Sequence, residues 1–137
     1  MTDAFDADVL IYAAVPGHPA GRRIRTLFSD DPGSRAGVGS FLLLPEVLAK
    51  PMRDGSAEEL TALASLLSRL ELRPLDASTA EVATSLAVSH RLRAADAVHL
   101  ATAVVAGADR FITNNRRDFA TTIVEIDIVY PEMLPDP

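Results

Sequence analysis

Cysteine and tryptophan are absent from this 137-residue chain, aromatic residues make up 5% of it, and Lys50 is its only lysine. Each shortage removes a possibility. Without cysteine, neither a disulfide nor a thiolate metal site can hold the fold. Few aromatics argue against an extended platform for stacking nucleic-acid bases. The longest apolar stretches, such as Phe41 to Pro45 and Ala101 to Ala106, fall far short of the ~20 residues that cross a bilayer. The opening residues Met1-Thr2-Asp3-Ala4-Phe5-Asp6 have no basic segment and run into acids, unlike a secretory signal. The expectation is a soluble, cytoplasmic protein without a membrane partner. The net charge of −6 also counts against a broad, non-specific grip on phosphates.

What is present fits one globular domain over residues 1–137. Hydrophobic residues reach 48%, enough for a single core. Proline and glycine fall between periodic segments, and no repeat or low-complexity tract interrupts them. Apolar periodicity predicts a short strand at Ala4 and Phe5, then helices near Asp8 to Val15 and Pro19 to Phe28. A strand over Arg35 to Val38 precedes a helix from Ser40, read as its N-cap, to Arg53. Ser56 and Glu59 have the spacing of a capping box, opening a helix that carries Leu60, Leu63, Leu66, Leu67 and Leu70 inward. A strand over Leu72 to Leu75 follows, then helices from Ser78 to Leu92 and from Ala94 to Ala106, the latter stopped by Gly107. Phe111 to Thr113 and Ile123 to Val129 complete the strands. Short apolar strands alternating with amphipathic helices imply an α/β fold with a parallel sheet covered on both faces.

In such sheets, sites form at the C-terminal strand ends, so the polar residues just past each strand carry the information. Asp6 follows the first strand, Glu46 lies in the helix after the second, and Asp96 opens a helix of small and apolar residues. Asp118 follows a later strand. A carboxylate in apolar surroundings is expensive unless something stabilises its charge. Several converging carboxylates need a cation, and hard oxygen donors select Mg²⁺ or Mn²⁺.

Four segments in order carry a family resemblance. They are Phe5-Asp6-Ala7-Asp8-Val9-Leu10-Ile11-Tyr12, Leu44-Pro45-Glu46-Val47-Leu48, Leu92-Arg93-Ala94-Ala95-Asp96-Ala97-Val98-His99-Leu100-Ala101-Thr102-Ala103, and Ala108 to Phe119 with Thr113-Asn114-Asn115 and Asp118. The pattern resembles the PIN domain family, in particular the ribonuclease toxins of bacterial VapBC-type toxin–antitoxin pairs. That resemblance implies a three-layer α/β/α sandwich whose central, mostly parallel sheet has about five strands. It implies a metal-dependent endoribonuclease that cleaves RNA phosphodiester bonds with Mg²⁺ or Mn²⁺, restrained by an antitoxin and acting as a homodimer. Asp6 and Asp96 would be the principal metal ligands, joined by Glu46 directly or through water. Ser40 and Thr113 occupy positions where the family places a small hydroxyl that orients acids or phosphate. Two departures stand out. The family commonly has Asn or Ser where this chain has Asp8. Its fourth acid is often at the position of Asn115 with another three places on, and here only Asp118 remains, in a supporting role.

Plainer readings stand beside these. Asp8 reads as the N-cap of the first helix, and Asp96 could be a first-turn acid favoured by the helix dipole. His99, one turn from Asp96, reads as a core histidine or one that supports the site from behind. The arginine runs are usually solvated faces, but Arg116 and Arg117 beside the site are candidates for phosphate contacts, with Asn115 and Arg116 on the substrate side. Two other functions remain open. Asp6-Ala7-Asp8 is similar to the paired aspartates of haloacid-dehalogenase-type phosphatases, although Lys50 lacks the downstream context those enzymes need. A non-catalytic PIN-like module that binds RNA or protein is the other, motivated by Asn115 and the acidic net charge.

Overall fold

The computed structural model describes all 137 residues. Five strands, β1 (Asp3–Phe5), β2 (Gly37–Ser40), β3 (Leu70–Arg73), β4 (Arg110–Ile112) and β5 (Asp127–Val129), alternate with six helices. The helices are α1 (Ala7–Ala14), α2 (Pro19–Arg25), α3 (Leu43–Asp54), α4 (Ala57–Ser68), α5 (Ala77–His90) and α6 (Ala94–Val105), and a 3₁₀ turn at Pro131–Met133 follows β5. The sheet runs β3-β2-β1-β4-β5 with every pairing parallel.

Side chains alternate across each strand, and this alternation builds two cores. Ala4, Val38, Phe111 and Ile128 point to the face covered by α5 and α6. Phe5, Leu70 and Ile112 point to the other face, under α1, α3 and α4. The result is a three-layer α/β/α sandwich. Three phenylalanines, Phe5, Phe111 and Phe119, are fully buried, and burying each such ring stabilises by roughly 1.5–3 kcal/mol. The α1 and α2 helices approach so closely that a Cβ on Gly21 would lie 2.1 Å from the Tyr12 carbonyl oxygen.

The structure moves several boundaries. β2 ends at Ser40 rather than Val38, because its pairing with β3 runs from Gly37↔Leu70 to Ser40↔Arg73. Ser40 is therefore not the cap of α3. Its hydroxyl instead accepts from the Leu42 amide at 3.0 Å, closing the bend into the helix. Ser56 and Glu59 form no capping box. The Ser56 amide already donates to the Pro51 carbonyl at 2.9 Å, while Gly55 (φ +67°) donates to Met52, so α3 closes in a Schellman turn that occupies the group Glu59 would need. Residues 120–126 are turns rather than strand: Ile123 and Ile126 are buried, yet Ile123 donates to Ala120 and only Asp127–Val129 joins β4. Leu27 and Phe28 lie in turns after α2. Gly107, at φ +72°, ends α6 as expected.

Candidate active site

The C-terminal edge of the sheet gathers the acids. Asp6 follows β1, and its amide donates to the Ile112 carbonyl of neighbouring β4 at 3.0 Å. Asp6 rather than Asp8 is the N-cap of α1: its Oδ1 accepts from the Ala7 amide at 2.8 Å. Its Oδ2 accepts from the Thr113 hydroxyl at 2.7 Å, and that hydroxyl oxygen accepts from the Asn115 amide. The strand-end threonine thus orients the aspartate of the adjacent strand. Asp6 is only 6% exposed. Burial pushes its carboxyl above the ordinary range, against Thr113, His99 and Ala7, while Glu46 adds to the rise.

Asp8 sits in the first turn of α1 and is turned toward the β4–β5 connection. Its Oδ2 accepts from the Asn114 amide at 3.0 Å, and its Oδ1 is buried without a partner. Burial, then the charge of Asp6, push this carboxyl up to about 7, with Asp96 adding to the effect. Tyr12, one turn on, meets the same residue through Asn114 Nδ2 at 3.4 Å and stacks on His18. The cap reading of Asp8 is therefore corrected. The capping position belongs to the residue at the strand end, which leaves Asp8 to face the acids. Its i,i+4 spacing with Tyr12 was the local sign that both share one face.

Asp96, in the first turn of α6, is raised by burial, then by Asp6 and Asp118. Asp118 is gripped by Asn115, whose Nδ2 donates to its Oδ2 at 3.0 Å and whose Oδ1 accepts from its amide. Glu46 stands in the first turn of α3. His99, with its side chain 1% exposed, places Nε2 2.6 Å from Glu46 Oε1. Burial works to lower the His99 pKa, but the Glu46 hydrogen bond and the charges of Asp6 and Asp96 outweigh it and hold the ring above its ordinary value. The sequence signal for this contact was the i,i+3 spacing of Asp96 and His99.

Two assigned residues make no hydrogen bond to these acids. Ser40 is buried but bonds only its own turn. Arg116 pairs with Glu132, lies 4.6 Å over the Tyr130 ring and donates to Asn114 Oδ1.

The donor set matches a hard divalent cation: carboxylate oxygens, one of them buried and unpartnered, whose mutual repulsion a positive ion would relieve. No three of these side chains stand close enough to enclose an ion by themselves. Mg²⁺ does not require that, because it retains several waters and is commonly held by one or two carboxylates together with substrate phosphate. The residues fit the ion.

Fold and acid cluster together define an α/β protein with a carboxylate site at the C-terminal end of a parallel sheet. The PIN domain model matches residues 4–123, and the chain belongs to that family. Two solved structures share the fold. A toxin–antitoxin complex from Klebsiella pneumoniae aligns with a TM-score of 0.75 and 22% identity, over 96% of this chain and 98% of the other. VapBC2 from Rickettsia felis, bound to a DNA fragment from their promoter, aligns with a TM-score of 0.73 and 17% identity, over 95% and 98%. No curated protein matches the chain. No helix is long and apolar enough to cross a membrane.

Proposed function

We propose that this chain is a Mg²⁺- or Mn²⁺-dependent endoribonuclease, the toxin of a toxin–antitoxin pair, working as a cytoplasmic homodimer built from a single domain. One observation supports the reading: at the sheet's C-terminal edge Asp8 Oδ1 is buried without a partner, and the nearby charges of Asp6 and Asp96 add to the effect of burial in raising the Asp8 carboxyl. An arrangement that repels itself gains from a cation. Membership in the PIN family and the shared fold of two toxin–antitoxin structures support the same reading.

Asp6 and Asp96 would hold the ion, and Glu46 would join them directly or through a water. When bound, such an ion supplies positive charge for the scissile phosphate and lowers the pKa of an attached water. Thr113 keeps Asp6 in one rotamer through its hydroxyl. Asn115 does the same for Asp118, which would position water or a second ion. Ser40 rounds off the strand end on the substrate side. Arg116 would contact a phosphate only by exchanging its partner Glu132, since one guanidinium face is already taken by Tyr130.

The test is direct. Purified protein with Mg²⁺ or Mn²⁺ should cleave single-stranded or structured RNA, chelation should stop it, and Asp96→Asn should be inert while remaining folded. Protein that cuts no RNA with either ion would sink the nuclease reading. Asn115 favours a second reading, a binding module without catalysis; RNA binding with no thermal shift on adding Mg²⁺ or Mn²⁺ would select it.

A further inference from the structure

We propose that His99 is a positioning residue for Glu46: its Nε2 holds one carboxylate oxygen so that the other is presented to the divalent ion, which His99 itself does not ligate. The inference rests on the metal-binding reading above and concerns a residue outside the ligand set proposed there.

The geometry carries it. Glu46 comes from α3 and His99 from α6, two helices on opposite faces of the sheet. Their side chains meet at its C-terminal edge, 2.6 Å apart between Nε2 and Oε1. Glu46 makes no other side-chain hydrogen bond, and its side chain is 35% exposed. A glutamate this open has several rotamers available, and one fixed oxygen removes most of that freedom. His99 in turn cannot move: its side chain is buried, and it lies one turn from Asp96 on the same helix. A single rigid element therefore carries Asp96 and also the group that sets Glu46.

The other ring nitrogen explains why His99 is a brace and not a ligand. Nδ1 is buried with no hydrogen-bond partner. An N–H there would be an unsatisfied donor, whereas a bare lone pair leaves a weaker demand. In the neutral ring the proton therefore belongs on Nε2, where it donates to Glu46, and in the charged ring the Nε2 N–H makes the same bond. With Nε2 committed and Nδ1 enclosed, neither nitrogen is free for an ion. Such braces typically change metal affinity 10–100-fold when removed.

Mn²⁺ titration of the full chain, followed by electron paramagnetic resonance without any RNA, decides the matter. His99→Leu should weaken Mn²⁺ binding by about 10–100-fold. His99→Gln keeps an N–H that reaches Glu46 and should stay within a few-fold of the parent, whereas His99→Asn, polar but too short, should resemble Leu. Adding Glu46→Gln to His99→Leu should weaken binding little further, since the two act as one unit. Electron spin-echo spectra of the Mn²⁺-loaded protein should show no directly bound imidazole nitrogen. Unchanged affinity in His99→Leu and His99→Asn, additive losses in the double variant, or a bound-nitrogen signal each overturns the proposal while leaving the metal site standing. Absence of Mn²⁺ binding by the unaltered protein overturns both.

Discussion

Asp3 opens the short strand β1 and Asp6 follows it directly; they are 8% and 6% exposed and meet opposite environments. At the N-terminal edge of the sheet, Asp3 receives both arms of the Arg110 guanidinium, Nε at 2.7 Å and NH2 at 3.0 Å. Arg110 lies directly across the β1–β4 pairing, in register with Asp3. At the C-terminal edge, Asp6 receives one hydroxyl and one amide, and its charged surroundings include Glu46 as well as His99. Two buried aspartates of one strand are thus completed differently. One is closed by a cation from its own chain, and the other is left with a charge that an external cation can satisfy. Burial alone does not mark a site; burial without a directly bonded countercharge does.

Breaking the closed end should have the largest effect. Arg110→Leu leaves Asp3 buried and unpaired, which should lower stability by roughly 2–4 kcal/mol, a little below the value for a fully enclosed pair because Arg110 is partly exposed. Denaturant unfolding at neutral pH measures it.

Filling the open end comes next. Mg²⁺ at about a hundred times its dissociation constant should add roughly 2.7 kcal/mol. The gain should vanish in Asp6→Asn and persist in Arg110→Leu, so a thermal-shift titration of the two variants separates the two ends of the strand.

Asp8→Asn should raise the stability of the metal-free protein by about 1–3 kcal/mol, by removing a poorly solvated charge. The pH dependence has a definite sign. Asp8 has a folded value of about 7 against 3.8 unfolded, so between those values the native state binds more protons than the unfolded one. Stability therefore falls as pH rises from about 4 to 7. Asp6 and Asp96 are raised as well, and His99, also raised, adds a further fall that begins only above its ordinary value of 6.5, where its stabilising charge starts to be lost. Unfolding in EDTA across this window should show the decline, and Asp8→Asn should flatten it.

Thr113→Val tests the smallest difference between the two ends. It deprives Asp6 of its hydroxyl donor and the Asn115 amide of its acceptor, and should cost about 1–2 kcal/mol. A double-mutant cycle with Asp6→Asn should show that most of this belongs to the pair.

The alternation of strand and helix, the stop at Gly107 and the segments holding Asp6, Glu46, Asp96 and Asp118 were all legible in the linear pattern. Periodicity and turn chemistry are local and survive without knowledge of the fold. Helix caps are less legible, for a related reason. Ser56 looks like a cap by its neighbours, but its amide is consumed by the end of α3. Asp8 looks like one too, but the strand delivers Asp6 to that position first.

The sequence by itself determined which residue types lie past each strand, and so where chemistry was to be sought. Only the tertiary structure decided their partners: Arg110 for Asp3, Thr113 for Asp6, His99 for Glu46 and Glu132 for Arg116. The first two pairs are 107 residues apart, and the third joins helices from opposite faces of the sheet. Such meetings depend on strand order and helix placement, which no local spacing encodes. Whether a buried carboxylate finds an arginine in its own chain is a property of the folded surroundings, and that property separates the acids at this sheet's C-terminal edge from Asp3.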